Sequence, residues 1–383
     1  MKIVCVPDSF KGSVTAAEAA AALAAGARQV CDEAEILQLP FADGGEGTLD
    51  ALLAVWGRAP ERVATVDALG RETEARYGLS PDGRTAIIEA AEANGLPQVS
   101  DVPLQPLRAD TYGVGLIARH VLEGSVNGTQ VEEILLCIGG SSTTDGGTGI
   151  LRGLGVEFLD DGGAPVQPGG EGLGRIASIE DSGLPPRAGE VRWRIAVDVD
   201  NPLTGQRGAA AVFGPQKGAE AEEIKVLDEG LGRLAEVLAA KTGERADSYR
   251  SAEGFGAAGG IPLTLVSLLG AEVVPGSTMV AEAVGLEEVL AGADLVLTGE
   301  GRLDSQSLGG KVVDAVASRA PDSAAVVVIA GAVQLSAAEC RAHGITAAFS
   351  IAPGAADLAE LQAEAAGLIE DTAAHACALW KLR

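Results

Sequence analysis

Short β-branched runs alternate with alanine-rich segments at both ends of the chain, and this rhythm constrains the fold more than any other feature. KIVCV (2–6) reads as a buried strand. The helix expected over 15–30 opens with Thr15 and Glu18 at capping-box spacing. ILQLP (36–40) reads as a second strand and TLDALLAVWG (48–57) as a helix. Towards the other end come ADLVL (293–297), a helix over 311–320, AAVVVIAG (324–331), a helix over 336–343, AAFSI (347–351) and a final long helix. Apolar runs of this kind, separated by helices, point to a parallel sheet covered on both faces.

The middle has a different texture. Residues 61–91 look like strands joined by turns, with Pro81, Asp82 and Gly83 forming one of them. EEILLCIGG (132–140) and RWRIAVDV (192–199) read as strands that end in polar or glycine-rich turns. The expected organisation is an α/β protein with a discontinuous first domain, 1–65 with 285–383, and an inserted mixed α/β domain, 66–284.

At 383 residues the chain is long enough for two cores. Its formal net charge of −26 argues against nucleic acid and anionic membrane as partners. No run reaches the roughly 18 apolar residues that a membrane span needs, and the expected location is cytoplasmic. The five cysteines are far apart and the three histidines show no zinc spacing, so buried thiols in a reducing compartment are expected. Oxygen ligands remain, which suits Mg²⁺.

The chemistry is carried by the residues just after each strand. PDSFKGS comes after 2–6, FADGGEGT after 36–40, SSTTDGGTG after 132–140, DNPLTG after 192–199 and TGEGRLD after 293–297. Ligands of open α/β sheets bind outside the carboxyl ends of strands, so the recurrence of acids and glycines there predicts a shared site. Glycines let backbone N–H groups approach phosphate closely. Asp8, Asp145, Asp198, Glu300 and Asp304 are candidates to hold a cation or accept a proton, and Lys11, Arg302 and Lys311 to offset phosphate or carboxylate charge. Plainer roles stay open: an Asx turn at Asp145, a solvated Lys217, a turn at Asp43, and a structural pair of Arg302 with Glu300. Asp160 and Asp161 read as a hairpin turn.

Familiar signatures are missing. There is no Walker sequence, no protein-kinase set and no G-x-S-x-G. A G-x-G-x-x-G match at 254–259 comes after a polar segment, not a buried strand, so a dinucleotide role fails its context. A glycine-rich phosphate loop or a helix start before IPLTLVSLLG is expected there instead.

PDSFKGS (7–13), LPFADGGEGT (39–48), IGGSSTTDGGTG (138–149), VFGPQKGA (212–219), GAAGGIP (256–262) and LTGEGRLDSQSLGGKV (297–312) together resemble the bacterial glycerate kinase family, unrelated to P-loop kinases. The resemblance implies a flavodoxin-like domain from the two termini and a restriction-enzyme-like insertion. It implies phosphoryl transfer from ATP to D-glycerate with Mg²⁺, giving 2-phosphoglycerate. For such a transfer, Asp8, Lys11, Asp198 and Arg302 are the expected catalytic residues, with Asp8 or Asp198 accepting the hydroxyl proton. Expected substrate and nucleotide contacts are Ser9, Asp43, Gly139, Gly140, Ser141, Gly146, Lys217, Gly256, Gly259, Gly299, Gly301 and Lys311. Asp145, Asp198 and Glu300 are the expected metal ligands. Thr144 and Asp200 depart from the family pattern, the first keeping a polar group and the second adding charge. The alternatives are a kinase for another small hydroxy acid and a non-catalytic nucleotide or sugar-acid sensor. A homodimer is left open.

Overall fold

The computed structural model describes residues 1–125 and 128–382. Its strands, in chain order, are β1 (Lys2–Pro7), β2 (Glu35–Gln38), β3 (Glu61–Val66), β4 (Glu72–Leu79), β5 (Thr85–Glu89), β6 (Glu133–Cys137), β7 (Glu157–Leu159), β8 (Ser178–Glu180), β9 (Arg192–Ala196), β10 (Glu272–Val274), β11 (Leu295–Leu303), β12 (Ala325–Val333) and β13 (Ala347–Ser350). The chain divides into two compact units, Met1–Gly57 with Pro275–Arg383, and Arg58–Val274.

In the first unit five strands form a parallel sheet in the order β13-β12-β11-β1-β2. Counted within the unit, that order is 2-1-3-4-5, and it reverses between β1 and β11. Such a reversal is where an open parallel sheet leaves a crevice at its strand ends. Both sheet faces are buried, as the apolar runs anticipate. Ile3, Cys5, Leu297 and Ile329 pack with Leu23 and Ile369. Val328 and Ala330 pack with Val313, Cys340 and Ile345. The helix Ala16–Val30 starts in a full capping box, Thr15 with Glu18. It lies tightly along the helix Ala365–Trp380, where a Cβ on Gly26 would sit 2.1 Å from the Glu370 carbonyl oxygen.

One element differs from expectation. The TGEGRL segment is not a loop after the strand but the second half of β11. Glu300 and Arg302 are opposite Ala330 and Ala332 of β12, so the ladder continues through them. Side chains two apart on a strand share a face, which puts Glu300 and Arg302 on the same side of rigid backbone.

The second unit contains a mixed sheet, β10-β9-β6-β5-β4-β3, parallel from β10 to β5 and antiparallel from β5 to β3. Ile88, Ile134, Leu136, Trp193 and Ile195 from its strands meet Ile117, Leu151 and Leu234 from its helices. The expected turns are present: Gly83 N–H donates to the Ser80 carbonyl at 2.9 Å, and Gly163 N–H to that of Asp160 at 3.0 Å. The unit limits differ from the expected boundaries. β3 pairs with β4 and so belongs to the middle sheet. The helix Gly276–Val284 packs on the helix Thr48–Trp56 in the first unit, with Gly276 against the backbone of Asp43 and Gly44.

No helix among the described residues is long and apolar enough to cross a membrane. All five cysteines are free and buried.

Candidate active site

At the reversal in the first unit, the last pair of β1 with β11 is Pro7 with Gly299. The next residues are Asp8 and Glu300, and Asp8 N–H donates to the Gly299 carbonyl at 2.8 Å. Two carboxyls are thereby carried side by side by backbone register. Gly299 is tightly enclosed: a Cβ there would stand 2.1 Å from the Ile329 carbonyl oxygen on β12 and 3.3 Å from the Phe10 ring. A Cβ on Gly301 would meet nothing closer than Lys11 N at 3.8 Å, so the 10–12 turn lies against this point of β11.

Both carboxyls are pushed up. Burial raises Asp8 from 3.8 to about 6, with the Asp43 carboxylate adding to it and Ser9 and Lys11 opposing. Burial raises Glu300 from 4.5 to about 7, with Asp8 and Asp304 adding and Ser307 and Lys311 opposing. Glu300 Oε1 is buried without a hydrogen-bond partner. Ser9 N–H donates to Asp8 Oδ1 at 2.6 Å. Asp43 Oδ1 accepts from Gly45 N–H at 3.1 Å. Lys11 and Arg302 are exposed, and Arg302 forms no ion pair with Glu300 among the described residues. Asp304 caps the short 3-10 turn Ser305–Leu308, and Lys311 precedes the helix Val312–Arg319. A cleft of about 180 Å³ opens beside Asp8 and Ser9, lined also by Thr15, Phe41, Glu46 and Asp50.

The second unit carries its own cluster at the ends of β6 and β9. Their last pair is Cys137 with Ala196, and two residues further on stand Gly139 and Asp198. Gly139 and Gly140 form an exposed turn, with Gly140 at φ 72°. Asp198 is exposed and has a polar partner. Below the turn, the loop is dry and densely bonded. Asp145 is fully buried; its oxygens accept from Gly147 N–H, Gly149 N–H, Thr111 N–H and the Thr111 hydroxyl, at 2.7 to 3.1 Å. Three of the four donors fall on Oδ2 and one on Oδ1, and together they make the carboxylate shape the loop. Lys217 is also buried, with Nζ donating to Thr143 O at 2.6 Å and Ser141 Oγ at 3.1 Å.

The other glycines expected to touch phosphate serve close packing. Gly146 N–H donates to the Gly259 carbonyl at 3.0 Å. A Cβ on Gly259 would lie 2.1 Å from Thr143 O, and one on Gly256 would lie 2.3 Å from Pro202 O. The 254–260 segment comes after the helix Ala246–Ser251 and leads into the helix Ile261–Leu269, in keeping with a helix start.

Residue reading missed three supports of this loop. Asn94 donates through Nδ2 to Thr143 Oγ1 at 3.1 Å, and its carbonyl accepts from Ser142. Thr111 holds Asp145, and Asp110 pairs with Arg152 at 2.8 Å. Asp110 is pushed up by burial and by Asp145. Asp110 and Thr111 directly precede the helix Tyr112–Glu123, so they read locally as helix-start residues; their long-range bonds leave no sequence signal.

No group of three or more His, Cys, Asp or Glu side chains suited to a metal occurs among the described residues. Pairs with water remain compatible with Mg²⁺, which keeps several waters.

The protein is an ATP-dependent small-molecule kinase, a class shown by comparison with known proteins and outside the Walker type. Residues 3–381 match the model of the Glycerate kinase family, and the chain belongs to that family. It is 43% identical over 384 residues to a glycerate kinase of Bacillus subtilis (strain 168), covering 100% of this chain and 98% of the relative. It is 41% identical over 353 residues to a glycerate 2-kinase of Escherichia coli (strain K12), covering 92% and 90%. A crystal structure from Salmonella typhimurium LT2, described as putative glycerate kinase 2, superposes with a TM-score of 0.89 at 41% identity, covering 100% of this chain and 98% of that one.

Proposed function

We propose that this protein phosphorylates the 2-hydroxyl of D-glycerate with ATP, releasing 2-phosphoglycerate and ADP. The observation that carries the reading is the pair of carboxyls, Asp8 and Glu300, set side by side at the sheet reversal and both pushed towards neutrality. A base works best when it titrates near the operating pH. Asp8 takes the hydroxyl proton as the oxygen bonds to the γ-phosphorus and the bond to the bridging oxygen of ADP breaks. Lys11 and Arg302, exposed and on the same strand ends, hold the substrate carboxylate or the transferring phosphoryl group. Similarity to a relative described as a glycerate 2-kinase supports the choice of hydroxyl.

In the second unit, the exposed glycine turn at 139–140 offers backbone N–H groups to nucleotide phosphates, and the 254–260 segment supports the loop behind it. Oxygen donors for a cation fit at Glu300, whose buried Oε1 lacks a partner, and at the exposed Asp198. Held at either residue, Mg²⁺ would supply charge neutralisation for the phosphate groups. Asp145 is not among these donors.

The same reading extends to the domains. The two compact units are two domains, and the 2-1-3-4-5 order supports a flavodoxin-like first one. The mixed sheet of the second is compatible with a restriction-enzyme-like class.

The test is to incubate the protein with ATP, Mg²⁺ and D-glycerate, then add enolase without a phosphoglycerate mutase. Phosphoenolpyruvate forms if the 2-hydroxyl has been phosphorylated. ADP release without phosphoenolpyruvate assigns the 3-hydroxyl, and no ADP release removes D-glycerate as the substrate.

A further inference from the structure

Lys217 is 2% exposed, yet no carboxylate among the described residues bonds to it. Its two contacts are neutral acceptors, the Thr143 carbonyl at 2.6 Å and the Ser141 hydroxyl at 3.1 Å. Both lie on the loop that continues from the exposed 139–140 turn. The adjoining helix Ala209–Phe213 contributes only apolar side chains. The neighbouring Gly218 lies against Leu104, and Ala219 belongs to an apolar cluster with Ala210 and Leu227. Among the described residues, the charge that acts on the amine is Asp145, which bonds not to Lys217 but to Thr111, Gly147 and Gly149.

A buried ammonium without a paired anion is costly. A neutral amine has two N–H groups, and two acceptors are in place. Thr144 Oγ1 on the loop and Asn94 Oδ1 on the helix Ala91–Asn94 are also buried and have no partner.

We propose that Lys217 is a positioning residue that holds the 141–143 segment and takes up a proton when a nucleoside polyphosphate settles on the 139–140 turn. The proposal rests on the nucleotide role of that turn and adds a regulation to it. Polyphosphate adds negative charge to that of Asp145, which makes no hydrogen bond to the amine. Protonation then adds a third N–H and strengthens both existing bonds, so that the turn stiffens as the ligand arrives. Burial lowers the free lysine to about 7, so above neutrality the empty protein holds it mostly as the amine. Linkage fixes the sign: if binding requires a proton that the free protein lacks, affinity falls as pH rises.

The experiment is calorimetric titration of the full chain with ADP between pH 7.5 and 9, in two buffers of different ionisation enthalpy. ADP phosphates are already ionised in that range. The expected result is a Kd that rises by up to about tenfold per pH unit, with proton uptake approaching about one per ADP at the upper end. Lys217→Met should bind more weakly, with no pH slope and no uptake. Lys217→Arg, which stays charged, should also show no uptake, and it serves where the methionine variant does not fold. Flat affinity without uptake in the unmodified protein overturns the proposal and leaves the nucleotide role standing. Uptake that persists in Lys217→Met or Lys217→Arg also overturns it. Absence of ADP binding at any pH overturns the nucleotide role itself, and the proposal with it.

Discussion

Replacing Asp8 with asparagine should weaken catalysis and strengthen the fold. The carboxyl titrates near 3.8 in an unfolded chain and near 6 in the folded protein, chiefly because it is buried. Between about pH 4 and 6 the folded state therefore keeps a proton that the unfolded chain has lost. Stability declines as pH rises through that window, and above it the ionised group costs the fold at most about 3 kcal/mol. Asn keeps an oxygen for Ser9 N–H, whose bond to Asp8 Oδ1 is 2.6 Å, and carries no charge to desolvate. The stability difference between Asp8→Asn and the unmodified protein should be near zero at pH 4 and grow in favour of the variant towards pH 8. Removal of a general base should meanwhile lower kcat by about 10²- to 10⁴-fold. Thermal midpoints at several pH values, with ADP release measured at pH 8, read both effects on one preparation. Turnover within a few-fold of normal would remove Asp8 as the base. A lower thermal midpoint at pH 8 would show that the carboxylate stabilises the fold, contrary to the burial argument.

Other substitutions separate shape from charge. Gly299→Ala should cost about 1–3 kcal/mol of stability and most activity, because its Cβ would stand 2.1 Å from the Ile329 carbonyl oxygen. Gly301→Ala, whose Cβ would meet nothing closer than 3.8 Å, should leave the denaturation midpoint nearly unchanged. Equal losses in the two would refute the steric account. Asp145→Asn exchanges one acceptor for a donor among four donors, and should cost about 3 kcal/mol or more of stability. An unchanged melting temperature with weakened Mg²⁺ dependence would instead make Asp145 a metal ligand. Lys11→Ala should raise KM for glycerate more than for ATP; equal effects in steady-state kinetics would argue against a contact with the acid.

Much of the architecture is legible because local patterns and global packing agree. KIVCV and the 324–331 run are apolar on both sides, and a strand buried on both faces needs nothing else. Thr15 and Glu18 mark a helix start that forms as spelled. The turns at Pro81 to Gly83 and at Asp160 to Gly163 follow from φ preferences of the residues themselves. The second half of β11 departs from the expected loop for a physical reason. Glycine-acid-glycine-arginine has low strand propensity, and the ladder to Ala330 and Ala332 outweighs it.

The sequence by itself determined which residue types follow the apolar runs: Asp8 after 2–6, the two glycines after 132–138, Asp198 after 192–197 and Glu300 after 293–297. Those are local facts, set by the order of apolar runs and turn residues. Tertiary structure decided what each group can do. Register between β1 and β11, nearly 300 residues apart in the chain, brings Asp8 beside Glu300 and raises both. Two donors from distant Thr111 join two from its own loop to turn Asp145 into a brace, and burial makes Lys217 a lysine poised near neutrality. Desolvation and hydrogen-bond satisfaction depend on neighbours in space, and no short stretch of sequence records those neighbours.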